Sequence, residues 1–216
     1  MQELLTIVLS TSNHGKLFEL RALLSDLPVQ LRSAAEILGE SPSIVEDGAT
    51  FEENALIKAR AIARATRMLS LADDSGLEVD ALGGRPGVRS ARFAHERATD
   101  AENNAALLRE LEQVDEGARS GRFRCVLSLV DPWHESDVHV AEGSCEGSIA
   151  RAPRGSRGFG YDPLFLVSGQ GGKAMAELSE AEKNQVSHRG RAVQALRSVL
   201  FELINARLDE AERIAG

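Results

Sequence analysis

Two adjacent aspartates in the first half of the chain limit the local structures that the sequence can adopt. Asp73 and Asp74 follow residues 68–72, a short apolar run typical of a buried strand, and Ser75-Gly76 comes next. We predict that this strand ends in an acidic turn, which is a suitable position for a divalent metal ion. In the alternative interpretation, the two carboxylates only cap the turn and face solvent.

The segments around the aspartates alternate between strand and helix patterns. Residues 4–27 show an apolar strand, a polar loop and a leucine-striped helix in that order, and Pro28 ends the helix. Thr50 and Glu53 form a capping box that begins a second, alanine-rich helix. We therefore predict the α/β class, with a mixed sheet flanked by helices in one domain that spans residues 1–216 and is built as one lobe or two.

The second half of the chain carries the same mixture of elements. An alternating pattern at residues 123–129 predicts a strand, and Val138 and Val140 predict its partner after a hairpin loop at residues 131–136. The remaining predicted strands are a short one within residues 29–45 and a half-buried one at residues 77–81, with a turn at Ser41-Pro42. The remaining predicted helices lie at residues 99–111 and 193–213, and a short helix begins within residues 176–181.

Charge and composition disfavour several classes of protein. The net charge of −8 and the isoelectric point near 5.2 argue against a nucleic-acid binder, which usually carries a basic stripe. No apolar run is long enough to span a bilayer, and the first residues lack the basic region of a signal peptide. Two cysteines make no disulfide framework and suit a reducing compartment. We therefore predict a cytoplasmic protein that binds neither membrane nor nucleic acid.

A polar loop between the first strand and the first helix is a candidate anion site. Residues 11–16 would bring backbone N–H groups and the positive end of a helix dipole to an anion, beside Ser12, Asn13 and Lys16. The alternative is an ordinary helix cap with Lys16 exposed to solvent. In either case, the loop lacks the order of glycine, lysine and serine found in a Walker A motif.

Further charged residues suggest a metal and a phosphorylated substrate. Lys58 lies four residues after Asn54 on the second helix and shares its face, although it could equally be an ordinary solvated lysine. Glu46, in another polar loop, offers a second carboxylate beside the aspartates. Because Mg²⁺ takes one or two carboxylates together with substrate phosphates, this combination suggests a nucleotide substrate.

A glycine-rich segment places two aromatic rings close together in a chain that has few of them. Phe159 and Tyr161 are flanked by glycines, and Asp162 follows directly. Stacking of these rings on a nucleotide base is one interpretation, and packing in the core is the other.

A polar and basic cluster precedes the predicted final helix. Its members are Lys183, Ser187, His188 and Arg189. The guanidinium of Arg189 suits planar acceptors such as a phosphate or a base carbonyl. The alternative is that Ser187 only caps the helix and that His188 lies at the surface.

Five motifs, in their order along the chain, resemble those of the Ham1-like family of non-canonical purine nucleoside triphosphate pyrophosphatases. The resemblance spans residue 6 to about residue 200. The motifs are Thr11-Ser-Asn-His-Gly-Lys16 with Glu19, Glu46-Asp-Gly-Ala-Thr-Phe-Glu-Glu-Asn54 with Lys58, Ala72-Asp-Asp-Ser-Gly-Leu77 continuing to Ser90-Ala-Arg92, Gly158-Phe-Gly-Tyr-Asp-Pro163, and Ser187-His-Arg189.

The resemblance implies an activity, a fold and a set of site residues. It implies Mg²⁺-dependent hydrolysis of ITP, dITP and XTP to the monophosphate and pyrophosphate. The fold implied is an elongated mixed-sheet α/β protein, with two lobes around a nucleotide cleft, that forms a homodimer. Asp74 would be the general base, and Glu46, Asp74 and Asp73 would hold the metal. The implied substrate contacts are Thr11, Ser12, Asn13, His14, Gly15, Lys16 and Lys58 at the phosphates, Ser75, and Phe159, Gly160, Tyr161, Asp162, Lys183, His188 and Arg189 around the base.

Other functions stay open at this point. A pyrophosphatase for another modified nucleotide, such as a methylated base or a pyrimidine, would use the same acidic chemistry. A nucleotide sensor without turnover would not require a general base, so the set Glu46, Asp73 and Asp74 favours an enzyme. A structural α/β protein whose acids only cap turns would not bind nucleotides with Mg²⁺.

Overall fold

The computed structural model of the protein describes residues 4–40, 42–134 and 137–215. The strands are β1 (Leu5–Ser10), β2 (Val29–Ser33), β3 (Ser70–Val79), β4 (Ser120–Val130), β5 (Val138–Ile149) and β6 (Phe165–Val167). The helices are α1 (His14–Leu23), α2 (Ala34–Leu38), α3 (Phe51–Thr66), α4 (Asp100–Glu110), α5 (Glu180–Val186) and α6 (His188–Ala215).

The strands form a mixed sheet, as predicted. Its order is β2-β1-β3-β4-β5-β6. Strand β1 pairs in parallel with β2 and with β3, whereas β5 pairs antiparallel with β6. Parallel neighbours need a crossover: α1 connects β1 to β2, and α2 and α3 lie between β2 and β3. The α/β class with flanking helices is therefore confirmed.

The chain divides into two compact units, each with its own core. The first unit comprises residues 1–74, 126–142 and 192–216, and the second comprises residues 75–125 and 143–191. In the first unit, α3 packs its alanine and isoleucine side chains on β1 and β3. In the second unit, the core is richer in large side chains, among them Phe123, Phe165 and Met175. No helix in the described part of the chain combines the length and the apolarity that a membrane span requires.

The predicted acidic turn is wrong, because β3 continues through both aspartates. Asp73 and Asp74 lie within one ten-residue strand, and both are buried. The strand can hold these carboxylates in its interior because each has a lysine partner, so neither needs to turn towards water. The strand ends at Val79, and Ala81 belongs to a short 3₁₀ segment instead of a further strand.

The last helix begins five residues earlier than predicted. Helix α6 starts at His188, so that His188 and Arg189 lie in its first turn and not in a preceding loop. The hydroxyl of Ser187 accepts the N–H of Gly190 at 3.0 Å and thereby caps this end. Helix α2 and strand β6 were not predicted, and each is short, at five and three residues. Ser41 of the predicted turn and residues 135–136 of the predicted hairpin loop lie outside the described residues.

Candidate functional site

A buried lysine organises the carboxylates of the first unit. The ammonium of Lys58, on α3, donates to Asp74 Oδ1 at 2.7 Å and to Glu46 Oε2 at 2.8 Å. Only 8% of Lys58 is exposed, so it is not the solvated lysine of the alternative interpretation. The arrangement brings a strand residue, a loop residue and a helix residue, all of them predicted site residues, to one point.

Burial and charge act against each other on this cluster. Burial raises the pKa of the Asp74 carboxyl above its ordinary value, although the ammonium groups of Lys58 and Lys16 oppose the rise. Burial alone would lower the pKa of Lys58, but the charges of Asp74 and Glu46 outweigh it and raise that pKa. Lys58 therefore stays protonated, while Asp74 becomes a stronger base than a surface aspartate.

The neighbouring aspartate binds a different lysine. Lys16 Nζ lies 2.6 Å from Asp73 Oδ1, whose side chain is fully buried. Adjacent residues in extended backbone point to opposite faces of a strand, so the two carboxylates take separate partners. The side chain of Lys16 is 16% exposed, and the interpretation that leaves it in solvent is wrong.

The loop before α1 is a helix cap as well as a carrier of Lys16. Asn13 Oδ1 accepts the N–H of Lys16 at 3.1 Å, and Thr11 Oγ1 accepts the N–H of Asn13 at 3.1 Å. Two of the backbone amides expected to face an anion are therefore used within the loop. Ser12 and His14 are exposed, and Gly15 is half-buried.

Glu46 is placed by the first turn of α3. Asn54 Oδ1 accepts the N–H of Gly48 at 2.9 Å, and Glu53 Oε2 accepts the N–H of Ala49 at 2.6 Å. A Cβ atom at Gly48 would lie 2.7 Å from Asn54 Oδ1 and 2.7 Å from the Cβ of Glu53, so a larger residue does not fit there. The loop that carries Glu46 is thus fixed to the helix that carries Lys58.

A cavity of about 200 Å³ lies beside this cluster in the first unit. Its lining contains four hydroxyl side chains together with an ammonium and a carboxylate. These polar lining residues are Ser10, Thr11, Ser12, Ser43, Glu46 and Lys58. Hydroxyl and ammonium donors of this kind suit an anionic ligand.

Two carboxylates of the first unit are suitable ligands for a metal ion that also binds the substrate. Glu46 and Asp74 direct hard oxygen ligands at one point, where a single ammonium lies. In the described part of the chain, no three His, Cys, Asp or Glu side chains are grouped as metal ligands. Asp73, the third predicted ligand, pairs with the ammonium of Lys16. Two carboxylates suit Mg²⁺, which fills its remaining positions with water and phosphate oxygens.

The second unit contains another buried ion pair. Lys183 Nζ lies 2.5 Å from Asp162 Oδ2, and the same carboxylate oxygen accepts the N–H of Phe159 at 3.0 Å. The ring of Phe159 has Lys183 Nζ at 5.1 Å from its centroid and the Arg189 guanidinium at 5.8 Å, both within cation–π range. The structure thus brings Lys183 and Arg189, both from the predicted base pocket, to the ring of Phe159, and Asp162 to its backbone.

The position of Gly158 has no room for a side chain. Its φ of +77° is a left-handed conformation, and a Cβ atom there would lie 2.0 Å from Asp162 Oδ2. The glycine therefore lets the backbone pass directly over the Asp162–Lys183 ion pair.

Tyr161 belongs to the core, although its neighbour Phe159 is half-buried. The tyrosine is 4% exposed, packs in the hydrophobic cluster of the second unit, and donates its hydroxyl to the carbonyl of Ser90 at 2.9 Å. Burial raises the pKa of this phenol, so it stays protonated. Its surroundings favour packing over stacking on a base.

The first turn of α6 presents buried donors. Arg189 is 1% exposed, and its guanidinium donates to the hydroxyl of Ser75 at 2.9 Å. His188 is also buried and stacks on Phe123, with the ring centroids 4.8 Å apart. The surface position that we considered for His188 is therefore wrong, whereas the capping role that we considered for Ser187 is present.

Sequence reasoning missed two residues that hold the loop around Phe159. Asp100 Oδ2 accepts the N–H of Gly160 at 2.6 Å, and Asn104 donates its amide to the carbonyl of Gly160 at 2.9 Å. The available signal was their spacing of four residues on a predicted helix, which places both side chains on one face. That spacing does not show which distant backbone they contact.

Known proteins resemble the chain in sequence and in structure. The model of the Ham1 family matches residues 7–199. The dITP/XTP pyrophosphatase of Bacillus licheniformis is 48% identical over 194 residues, which cover 90% of this chain and 97% of that protein. The dITP/XTP pyrophosphatase of Geobacter sulfurreducens is 50% identical over 194 residues, covering 90% of this chain and 96% of that protein. A HAM1 protein from Coxiella burnetii superimposes with a TM-score of 0.82 and 45% identity, covering 92% of this chain and 100% of that one.

We predict that Lys58→Met destabilises the protein in a pH-dependent manner. Loss of the ammonium leaves Asp74 as a buried carboxylate without this partner, which typically costs about 3 kcal/mol when the group is ionised. Because the pKa of Asp74 is already raised in the folded state, the folded protein holds more protons than the unfolded chain and loses stability as the pH rises. Removal of Lys58 raises that pKa further, so the loss of stability is larger at alkaline than at acidic pH.

Urea denaturation of the wild-type protein and of Lys58→Met, each at an alkaline and an acidic pH, measures how the loss of stability depends on pH. Glu46→Gln is the matched control, because the Glu46 side chain is 34% exposed and its removal is expected to cost less than about 1 kcal/mol. An equal loss of stability at both pH values in Lys58→Met would show that packing, and not charge, accounts for it.

Proposed function

Since this chain belongs to the Ham1 family, we propose that it hydrolyses non-canonical purine nucleoside triphosphates such as dITP, ITP and XTP to the monophosphate and pyrophosphate. The names of its relatives, dITP/XTP pyrophosphatases at 48% and 50% identity, support this activity. The observation that carries the chemistry is the buried Lys58 ammonium between Asp74 and Glu46. We also propose that residues 1–216 act as one catalytic domain.

We assign the phosphate end of the substrate to the first unit. The cavity there is lined by hydroxyl groups and by Lys58, and Lys16 lies beside Asp73 near the same strand. An overall charge of −8 disfavours the approach of a polyanion, so the cations that meet it must be local and held in place. Asp73 is a positioning residue in this scheme, because its carboxylate holds the ammonium of Lys16.

Asp74 acts as the general base. Its raised pKa suits the removal of a proton from a water molecule that attacks the α-phosphorus. The new bond forms between the water oxygen and the α-phosphorus, and the bond to the bridging oxygen breaks, so that pyrophosphate leaves. Lys58 and Lys16 stabilise the negative charge that develops on this leaving group.

Glu46 and Asp74 are the residues that would hold Mg²⁺. The ion would supply charge neutralisation on the phosphates and polarise the α-phosphoryl oxygens. Holding the ion would also offset the repulsion between the two carboxylates and the incoming triphosphate. We propose Asp73 as the third residue that would hold the ion, with its carboxylate also binding the ammonium of Lys16.

We assign the base to the second unit. Phe159 is half-buried and suits stacking, while Asp162 and Lys183 fix its backbone and one side of its ring. Arg189 and His188 donate to the 6-oxo group of hypoxanthine or xanthine. Adenine carries an amino group at that position, which is a donor and cannot accept a hydrogen bond from these two residues, so ATP is disfavoured.

The cysteines, the net charge and the family bear on the cellular location and the partners of the enzyme. Cys125 and Cys145 are buried and neither is in a disulfide, which suits a reducing compartment, and we propose a cytoplasmic location. A homodimer and the absence of nucleic-acid and membrane partners are proposed on the resemblance to the family and on the negative net charge.

The first prediction from this proposal concerns the products. With Mg²⁺, the protein releases pyrophosphate from ITP, dITP and XTP, and it releases little from ATP or GTP. Chelation of the metal by EDTA abolishes the reaction, because the charge of the triphosphate is then not neutralised. The measurement is pyrophosphate release, with orthophosphate counted in parallel.

The same assay separates the alternative functions. Orthophosphate as the product would place the attack at the γ-phosphorus and contradict the role of Asp74. Turnover of methylated or pyrimidine triphosphates in preference to ITP would favour a related pyrophosphatase. Binding of ITP without turnover would favour a nucleotide sensor.

A second prediction concerns the base. Asp74→Asn keeps the shape of the side chain and an oxygen for Lys58, but it cannot accept the proton. We expect kcat for ITP to fall by about 10²–10⁴-fold while ITP still binds. Pyrophosphate release and equilibrium binding of ITP measure the two effects. Asp115→Asn, an exposed position in the second unit, is the control for the same chemical change. Activity near the wild-type level in Asp74→Asn would exclude this role.

A third prediction concerns base discrimination. Arg189→Lys keeps the charge but loses the planar pair of donors, so we expect the preference for ITP over ATP to fall by about 10-fold. The ratio of kcat/KM for the two substrates measures it. Arg191→Lys is the matched control, because Arg191 is exposed and lies two residues further along α6. If the ratio in Arg189→Lys equals that of the control, recognition of the 6-oxo group lies elsewhere.

A further inference from the structure

Helix α4 binds both backbone polar groups of Gly160, a residue of the glycine-rich loop. Asp100, the first residue of α4, accepts the N–H of Gly160 at 2.6 Å through Oδ2. Asn104, one helical turn later, donates Nδ2 to the carbonyl of the same glycine at 2.9 Å. Because positions four residues apart lie on one helix face, α4 holds both polar groups of Gly160 as a unit.

The loop needs such anchors. Residues 151–158 are all exposed, and Gly155, Gly158 and Gly160 have φ values of +77°, +77° and +61°. Glycines in the left-handed region lose more conformational entropy on ordering than other residues, so a loop of this composition does not order itself. The contacts of Asp100 and Asn104 fix the residue that directly follows Phe159.

The other contacts of the loop do not replace this one. Tyr161 is anchored to Ser90 through its hydroxyl, and the N–H of Phe159 is anchored to Asp162. These bonds hold the loop one residue after Gly160 and one residue before it. The peptide between Phe159 and Gly160 is held at both of its polar groups: its carbonyl accepts the N–H of Asp162 at 3.2 Å, and the Asp100 carboxylate accepts its N–H.

We propose that Asp100 and Asn104 are positioning residues that orient Phe159 for stacking on the purine base. The inference rests on the proposed function, since it assigns a specific contribution to base binding. Ordering the loop before the substrate arrives reduces the entropy lost on binding, and it therefore acts on affinity for the base and not on the chemical step. The phosphate-binding residues of the first unit are not part of this contribution.

The test uses two variants that remove these contacts and one that keeps an acceptor. In Asp100→Ala and in Asn104→Ala, we expect KM for ITP to rise by about 10-fold while kcat stays within about 3-fold of wild type. In Asp100→Asn, the amide oxygen can still accept the N–H of Gly160, so KM is expected to return to within about 3-fold of wild type. Exposed neighbours provide matched controls, with Glu112→Gln for the carboxylate and Gln113→Ala for the amide.

Inhibition by inorganic triphosphate, which has no base, distinguishes positioning from general damage. We expect its inhibition constant to be the same in Asp100→Ala and in wild type. Equal weakening of inorganic triphosphate and ITP, or an unchanged KM for ITP in Asp100→Ala and Asn104→Ala, would overturn the inference. Failure of the wild-type protein to release pyrophosphate from ITP would instead overturn the proposed function itself.

Discussion

A buried ammonium between two carboxylates is the interaction on which the arrangement of the first unit depends. Removing the Lys58 ammonium or the Asp74 carboxylate from water singly costs on the order of several kcal/mol for each ion, and close pairing offsets that cost. Pairing at 2.7 Å and 2.8 Å in turn requires α3, β3 and the loop at residue 46 to be placed accurately. The capping box at Thr50 and the bond from Gly48 to Asn54 supply that placement. The fold and the proposed chemistry therefore share the same contacts.

The second unit uses the same principle for a different purpose. The Asp162–Lys183 pair is as deeply buried as the Lys58 cluster, but its carboxylate also accepts a backbone N–H of the exposed glycine-rich loop. The ion pair fixes the orientation of the glycine-rich backbone at Phe159, because the N–H of that residue must point at the carboxylate. In each unit, a buried aspartate is thus paired with a buried lysine.

The predictions that succeeded rest on signals contained within a few residues. The Thr50 capping box, the helix at Asp100–Glu110 and the strand at Leu5–Ser10 are specified by local spacing, and the structure has each of them within two residues of the prediction. The motifs also identified the residues that meet at Lys58 and those that surround Phe159.

The predictions that failed concern side chains whose partners are distant in sequence. Asp73 and Asp74 were predicted to end a strand because they follow an apolar run and precede Ser75-Gly76, but lysines from two separate helices allow both carboxylates to be buried within the strand. His188 was considered for the surface, and its burial depends on Phe123. A local sequence pattern does not show that a buried polar side chain has a partner, because that partner comes close only in the complete fold.

Helix α3 combines two tasks within little more than one helical turn. Asn54 holds the loop that carries Glu46, and Lys58 binds the carboxylate of that residue and of Asp74. An added or deleted residue between Asn54 and Lys58 would rotate one side chain relative to the other by about 100° and shift it by about 1.5 Å along the axis. The spacing between Asn54 and Lys58 must therefore stay fixed. Side chains at the outward positions of this stretch can change, but an insertion or deletion would separate the Lys58 ammonium from the Glu46 carboxylate without removing either residue.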